Sequence, residues 1–294
     1  MLLSAIDIGS NAVRLLFSNV KETEGVVVAE KLSLVRIPLR LGEDVFATGT
    51  ISEAKISKLI KTIQAFLLLI EVNGSERTMI YATAAMREAV NASQVIAKVR
   101  KSTGVNIEVI DGIKEATLIS SVDGFFPPQT PSDVVFLDVG GGSSEITVMK
   151  NRKLVKSYSF EIGTVRMLNH AVEASAWKQL RQTLQSFTIP DGQFFLVGSG
   201  GNITKLVKLY GNTRDKVLTY KKLSAGIKEL ESMTFDQRMK ELGLRPDRAD
   251  VIVPAGLIFR FVMNELNVSS VYVPKIGLAD GMVSQMYKEH KGIQ

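Results

Sequence analysis

The chain contains no cysteine. That excludes disulfides, a thiol nucleophile and any zinc–cysteine centre. It is also compatible with a reducing compartment, so a cytoplasmic location is expected. Histidine is almost as scarce. The two present, His170 and His290, are neither followed by Asp nor set at a ligand spacing, and both read as surface or structural residues. No long hydrophobic run occurs. The most apolar later stretch, around Val251 to Met263, is broken by Pro254 and Arg260 and is too short for a bilayer span. The opening residues MLLSAIDIGS lack a basic leader and reach Asp7 too early for a signal peptide, so no membrane partner is expected. Neither charge sign dominates: 36 Lys and Arg stand against 30 Asp and Glu, a net +6. That balance suits a polyanionic substrate without requiring one. No Lys/Arg-dense run stands out, and no nucleic-acid partner is expected. What remains is globular in character, 45% hydrophobic and 22% charged over 294 residues, enough for one large or two medium domains.

The chain is organised around VVFLDVGGGSSEITVMK, residues 134–150. An apolar run carries one acid, Asp138. Gly140, Gly141 and Gly142 follow, then Ser143, Ser144 and Glu145, then a second apolar and β-branched run. The pattern predicts strand, tight glycine turn, strand. Glycines at the tip are expected to take positive φ and to present backbone N–H groups to a ligand. Clustered N–H groups bind anions, usually phosphate, and Asp138 at the strand end can hold a divalent cation. Residues 5–17, AIDIGSNAVRLLF, repeat the device with Asp7, Gly9 and Ser10. Two such hairpins suggest two related halves facing each other across a cleft.

Around these hairpins the spacing predicts further strand over 25–37, a loop with turn glycines over 39–52, and a helix from Ser52 to Glu71 with Ser52 as N-cap. A strand over 78–82 leads into a short helix bearing Arg87, at a strand end, where open α/β sheets bind ligands. A helix over 93–102 and a strand over 106–110 follow. Asp111 then caps a helix with Glu115 in its first turn. Locally, a carboxylate favoured by the helix N-terminus accounts for Glu115 as well as a catalytic role does. Pro127, Pro128 and Pro131 mark a junction within 123–133. Beyond the central hairpin lie a third strand over 154–160, Gly163 at a turn, Arg166 near a helix start, and a helix over 175–186. The strand 194–197 ends in GSGGN, where Ser199 and Gly200 precede a helix N-terminus that can hold phosphate or nucleoside. Helices near 224–232 and 249–266, a strand over 270–273 and a final helix complete the chain. Met282 and Met286 read as core.

Taken together these motifs resemble the exopolyphosphatase and guanosine pentaphosphate phosphohydrolase family, within the actin, sugar kinase and heat-shock chaperone ATPase superfamily. AIDIGSNAVRLLF and FLDVGGGSSEIT resemble its two phosphate motifs. LRLGEDVFATGTIS, ATAAMREAVN, EVIDGIKEATLI, EIGTVRM, LVGSGGNITKL and IGLADGMV fall in its order and spacing. The resemblance implies an α/β fold of two ribonuclease-H-like domains with the active site in the cleft between them. We set these at 1–125 and 126–294, with the last helix able to pack back on the first domain.

The resemblance also implies roles. Glu115 matches the family's catalytic base. Asp138 and Glu145, with Asp7 in support, match the acids around metal and water. Gly9, Ser10 and Asn11 match the first phosphate loop, and Gly140, Gly141, Gly142 and Ser143 the second. Arg87 matches an arginine of the phosphate channel, and Arg166, Ser199 and Gly200 join the phosphate-binding set. Mg²⁺ is the implied cofactor. Inorganic polyphosphate is the implied substrate, with release of orthophosphate. Guanosine pentaphosphate (pppGpp) hydrolysis shares the same site, and a non-catalytic polyphosphate or alarmone binder remains the alternative of a different class. Members are often dimers, so a homodimer is allowed. Two positions depart from the pattern. Lys114 replaces the first acid of the family's Glu-Glu pair, and Asn202 stands where Thr is common. Longer members carry a helical extension that helps them hold long polymer, and no such extension is expected here.

Overall fold

The computed structural model of the chain describes residues 1–23, 26–122, 130–131, 133–151, 153–187 and 194–292. It separates into two compact units, Met1–Phe126 with Ile276–Gln294, and Pro127–Lys275. The proline-rich junction expected within 123–133 lies outside the described residues except at 130, 131 and 133.

The first unit begins with β1 (Leu2–Ile8), β2 (Val13–Thr23) and β3 (Val26–Ile37), an antiparallel meander. Then come α1 (Leu41–Thr48), α2 (Glu53–Asn73), β4 (Arg77–Ala82), α3 (Ala84–Glu88), α4 (Ala92–Thr103), β5 (Glu108–Val109) and α5 (Gly112–Ser120). The sheet order is β3-β2-β1-β4-β5, with β4 parallel to β1 and β5 parallel to β4. Strand alternation decides what each face buries. Ile6, Ile8, Val13 and Leu15 face α2 and α4, meeting Ile56, Leu59, Ile63, Phe66, Val95 and Val99. Each such buried side chain contributes about 1.5–3 kcal/mol. Leu3, Ala5 and Leu16 line the opposite face against Leu118 and Ile119 of α5.

The second unit holds β6 (Val134–Val139), β7 (Ser144–Lys150), β8 (Lys153–Phe160), α6 (Thr164–Leu168), α7 (Ala174–Gln185), β9 (Phe195–Ser199), α8 (Gly201–Tyr210), β10 (Val217–Thr219), α9 (Tyr220–Ser232), α10 (Phe235–Leu242), α11 (Pro246–Ala249), α12 (Ile252–Glu265) and β11 (Ser270–Tyr272). Its order is β10-β11-β9-β6-β7-β8. Strands β6, β7 and β8 form an antiparallel meander, and β9 and β11 run parallel to β6. The unit repeats the first one's plan. Each is a ribonuclease-H-like α/β sheet, an antiparallel meander continued by parallel strands.

The final helix, α13 (Leu278–Lys291), belongs to the first unit, so the second unit ends before it. Met282, Val283 and Met286 join the α5-side core. A Cβ at Gly281 would lie 2.2 Å from the Leu118 carbonyl oxygen, so only glycine permits this approach of α13 to α5. Asp280 in its first turn pairs with Lys31 at 2.7 Å. Burial pushes the Asp280 carboxyl above its ordinary range, partly offset by Lys31 and the Gly277 N–H.

Three local expectations change. Residues 41–48 are helix rather than loop. Leu41 and Val45 supply a buried face, Gly42 lies inside the helix, and Gly49, at φ 78°, is its C-cap. The glycines were therefore packing and capping residues, not turn residues. The strand expected over 106–110 is only Glu108–Val109. Finally, the short elements β10, α10 and α11 gave no periodic signal long enough to read.

Candidate functional site

Both hairpins close with the same bond. The Gly9 N–H donates to the Ala12 carbonyl at 3.1 Å, and the Gly140 N–H to the Ser143 carbonyl at 2.9 Å. The expectation of positive φ does not hold for Gly9 or Gly140 to Gly142, none of which is a positive-φ residue. Close approach is the reason for glycine instead. A Cβ at Gly9 would stand 3.2 Å from the Ala12 oxygen, and one at Gly140 3.1 Å from the Ser143 oxygen.

A glycine-bearing helix start clamps each turn from behind. Carbonyls of Ser10 and Asn11 accept the N–H groups of Gly42 and Arg40, at 2.8 and 3.0 Å. In the second unit the Gly140 carbonyl accepts from Thr164, and the Gly141 carbonyl from Val165 and Arg166, at 3.0, 2.8 and 3.1 Å. Gly163 makes this possible, since a Cβ there would lie 2.4 Å from the Gly141 oxygen. Arg166 is buried, and its Nε donates to the Gly142 carbonyl at 2.8 Å. It therefore braces the turn from the carbonyl side. With those carbonyls engaged, the N–H groups of Gly141, Gly142 and Ser143 make no hydrogen bond within the described chain. Three successive unengaged donors are an anion cradle.

The acids differ between the hairpins. Asp7 lies directly opposite Arg14 in the β1–β2 register, and Arg14 Nη1 donates to its carboxylate at 2.5 Å. Asp138 lies directly opposite Glu145 in the β6–β7 register. Like charges so placed repel, and both side chains are held by hydroxyls. Ser199 Oγ donates to Asp138. Ser143 and Ser159 hydroxyls donate to Glu145 Oε1 at 2.6 and 2.9 Å. Two opposed carboxylates with neutral donors fit a hard divalent cation. Asp7 fits one less well, because its charge is met by Arg14.

Ser199 ends β9 beside Asp138. Gly200 follows at φ 108° and caps α8, in a conformation that favours glycine. Glu115 lies in the first turn of α5, buried, behind the Asp111 cap, whose carboxylate accepts the Lys114 N–H at 2.7 Å. The Lys114 ammonium pairs with Glu108 at 2.6 Å and sits 4.6 Å from the Tyr81 ring centroid. The cation at the departed position is thus directed to β4 and β5. Burial works against its charge, while Glu108 and Tyr81 raise its pKa overall. Arg87, half-buried on α3, donates through Nη1 to the Ile110 carbonyl at 2.9 Å.

The sequence reading missed Arg14, Ser159 and Arg248. Arg14 was accessible by aligning the two hairpins, since it occupies the Glu145 position, seven residues after the acid. Arg248 is a purely tertiary neighbour: a Cβ at Gly201 would lie 3.1 Å from its Nη2.

A sequence model of the Ppx/GppA phosphatase family matches residues 21–290. Exopolyphosphatase 1 of Mycobacterium leprae is 26% identical, over 96% of this chain and 88% of its own length. A guanosine-5'-triphosphate,3'-diphosphate pyrophosphatase of Photobacterium profundum is 27% identical over 97% of this chain, which spans 59% of that protein. A bifunctional 3-dehydroquinate synthase/phosphatase of Fusobacterium nucleatum is 27% identical over 89% of this chain, which spans 43% of it. The crystal structure of the Aquifex aeolicus Ppx/GppA family member superposes with a TM-score of 0.76 at 26% identity, over 98% of both chains. With the family match running through both units, the chain belongs to the Ppx/GppA phosphatase family.

Proposed function

We propose that the protein is an exopolyphosphatase, a phosphoanhydride hydrolase that releases orthophosphate from the end of inorganic polyphosphate. The observation that carries the reading is the second hairpin, where three unengaged N–H groups adjoin an opposed carboxylate pair. The donors of 141–143 bind the terminal phosphate, and Arg166 and Gly163 keep the turn's carbonyls turned away from it. Asp138 and Glu145 would hold Mg²⁺, which when bound neutralises charge on the phosphate oxygens. Glu115 takes the proton of the attacking water. The water oxygen bonds to the terminal phosphorus, the bridging P–O bond breaks, and the bridging oxygen leaves with the shortened chain. Arg87 supplies a guanidinium for a following phosphate, while Ser10 and Asn11 serve the first turn. Asp7, tied to Arg14, fixes that turn in charge and position. The proposal places the enzyme in the cytoplasm. Among the described residues no helix is long and apolar enough to cross a membrane.

The test is phosphate release with Mg²⁺ from short polyphosphate, long polyphosphate, pppGpp and ATP, with Glu115→Gln beside wild type. A positioned base contributes about 10²–10⁴-fold, so the variant should lose activity on that scale. Wild-type turnover in the variant would return Glu115 to a helix-terminus role. The Photobacterium relative supports pppGpp as the second candidate substrate, and a ranking with pppGpp first would favour it. Tight binding with no release from any substrate would leave a binding protein.

A further inference from the structure

The net charge of the chain is not shared between the units. Residues 127–275 carry 20 Lys and Arg against 14 Asp and Glu, while the remaining residues carry 16 of each. Within the second unit it concentrates again. Too dispersed to read as a Lys/Arg-dense run, Lys205, Lys208, Arg214, Lys216, Lys221 and Lys222 nevertheless fall in eighteen residues that contain one acid, Asp215. These residues surround the edge strand β10, with α8 before it and α9 after it. Lys216 to Lys221 spans at most about 17 Å of chain.

Two features set this cluster apart from an ordinary solvated surface. First, Lys208, Arg214, Lys216, Lys221 and Lys222 are exposed, and their side chains make no ion pair or hydrogen bond among the described residues. Asp215 is held by Asn212 instead, at 2.5 Å. Second, Lys221 and Lys222 open α9, whose first turn contains no acid. Cations there sit at the positive end of the helix dipole, an arrangement that disfavours the helix. A charge cost of this kind, met by no side chain among the described residues, points outward to an anion.

We infer that the β10 edge of the second unit is a docking surface for a segment of polyphosphate remote from the phosphate being cleaved. This rests on the exopolyphosphatase reading for its ligand. Within the sheet β10 lies three strand positions from β6, or about 14 Å from the Asp138 strand. That separation is one a flexible polymer can span. The aromatic content argues against nucleic acid. Single strands are held by bases stacked on aromatic rings, yet Tyr210 and Tyr220, the two aromatics of the cluster, both pack against the unit's core. Tyr210 lies beneath Gly226, where a Cβ would stand 2.5 Å from its ring. Burial, with Glu229 alongside, pushes its hydroxyl pKa up to about 12.

The test uses the full chain and a Lys216→Gln/Lys221→Gln/Lys222→Gln variant. Direct binding of long polyphosphate should weaken about tenfold at low salt. The slope of log affinity against log salt should become shallower by about 2, from about 0.7 per lost cation. Hydrolysis of tripolyphosphate should be unchanged, and the Tm unchanged or higher, because the clash with the dipole is gone. Unchanged long-chain binding would overturn the inference. So would loss of tripolyphosphate turnover in parallel, which would make the cluster part of the reacting site. Equal wild-type affinity for single-stranded DNA, lost in the same variant, would make it a nucleic-acid surface and also overturn it. Should wild type bind long polyphosphate through these lysines yet hydrolyse nothing, the hydrolase reading falls and the docking surface stands.

Discussion

The two hairpins share one backbone and differ in what stands opposite the acid. Asp7 faces Arg14, while Asp138 faces Glu145. In both, the turn closes through a glycine N–H and is clamped by a glycine-bearing helix start. The first hairpin therefore sets a cation in register with its acid, and the second sets an acid against an acid. Its remaining side chains on that face, Thr147, Ser157 and Ser159, are polar and hydrogen-bond among themselves and to Glu145. One duplicated device has one copy with its acid paired to an arginine, suited to position, and one copy with two acids in register, suited to a cation. Position-by-position charge, more than backbone, separates the two roles.

The largest expected effect tests the clamp. Gly163→Ala puts a Cβ 2.4 Å from backbone atoms of the second turn, and neither strand nor helix can yield easily. It should cost about 3 kcal/mol in urea unfolding. In the first unit a Cβ at Gly42 meets the Phe46 ring at 2.6 Å and Ser10 Cβ at 2.9 Å. The ring can swing aside, and alanine is the better helix former, so Gly42→Ala should cost only about 1 kcal/mol. Equal costs would show that the two clamps are not built differently.

Charge gives the next contrast, and here the signs should differ. Arg14→Ala leaves Asp7 buried without its cation and should cost about 2 kcal/mol. That is below the loss for a fully buried pair, since a third of the Arg14 side chain is exposed. Glu145→Gln relieves repulsion with Asp138, so stability without metal should stay within about 0.5 kcal/mol of wild type or rise. The same variant should lose the shift in melting temperature that Mg²⁺ gives the wild type. A Glu145→Gln protein that is as damaged as Arg14→Ala, yet still stabilised by Mg²⁺, would make Glu145 a structural residue.

The smallest effects are in the pH dependence of each unit. In the first, burial works against ionised Asp44, but Lys55 at 2.7 Å and the Ser52 N–H outweigh it and lower its pKa. Its contribution is present above the ordinary carboxylate pKa and is lost as pH falls through the lowered value. Asp280 is raised, so the folded state holds its proton more tightly and stability falls as pH climbs from about 3.8 through that raised value. Asp280→Asn should remove this component of the acid profile. In the second unit Tyr210 acts at the other end. Its folded pKa of about 12 exceeds the unfolded value of 10. Stability should therefore decline between pH 10 and 12, and Tyr210→Phe should flatten that limb. Melting curves across both ranges check all three.

The sequence by itself determined the repeat, the elements with long periodic faces and the family. Two copies of strand, acid, glycine turn and strand are written in consecutive residues. Helix α2 declares itself through Ile56, Leu59, Ile63 and Phe66 on one face, and the Ser52 and Asp111 caps are local chemistry. Such features depend on neighbours within a few residues, and the chain carries them openly. Tertiary structure decided the rest. It made residues 41–48 a helix by burying Leu41 and Val45, with Gly42 packed against Ser10, and it gave the turn glycines a packing role in place of positive φ. It also set Arg166 to brace the carbonyls of the second turn, and it carried α13 back to the first unit, where Gly281 meets Leu118. Each of these rests on contacts between residues far apart in sequence, which residue order alone does not specify.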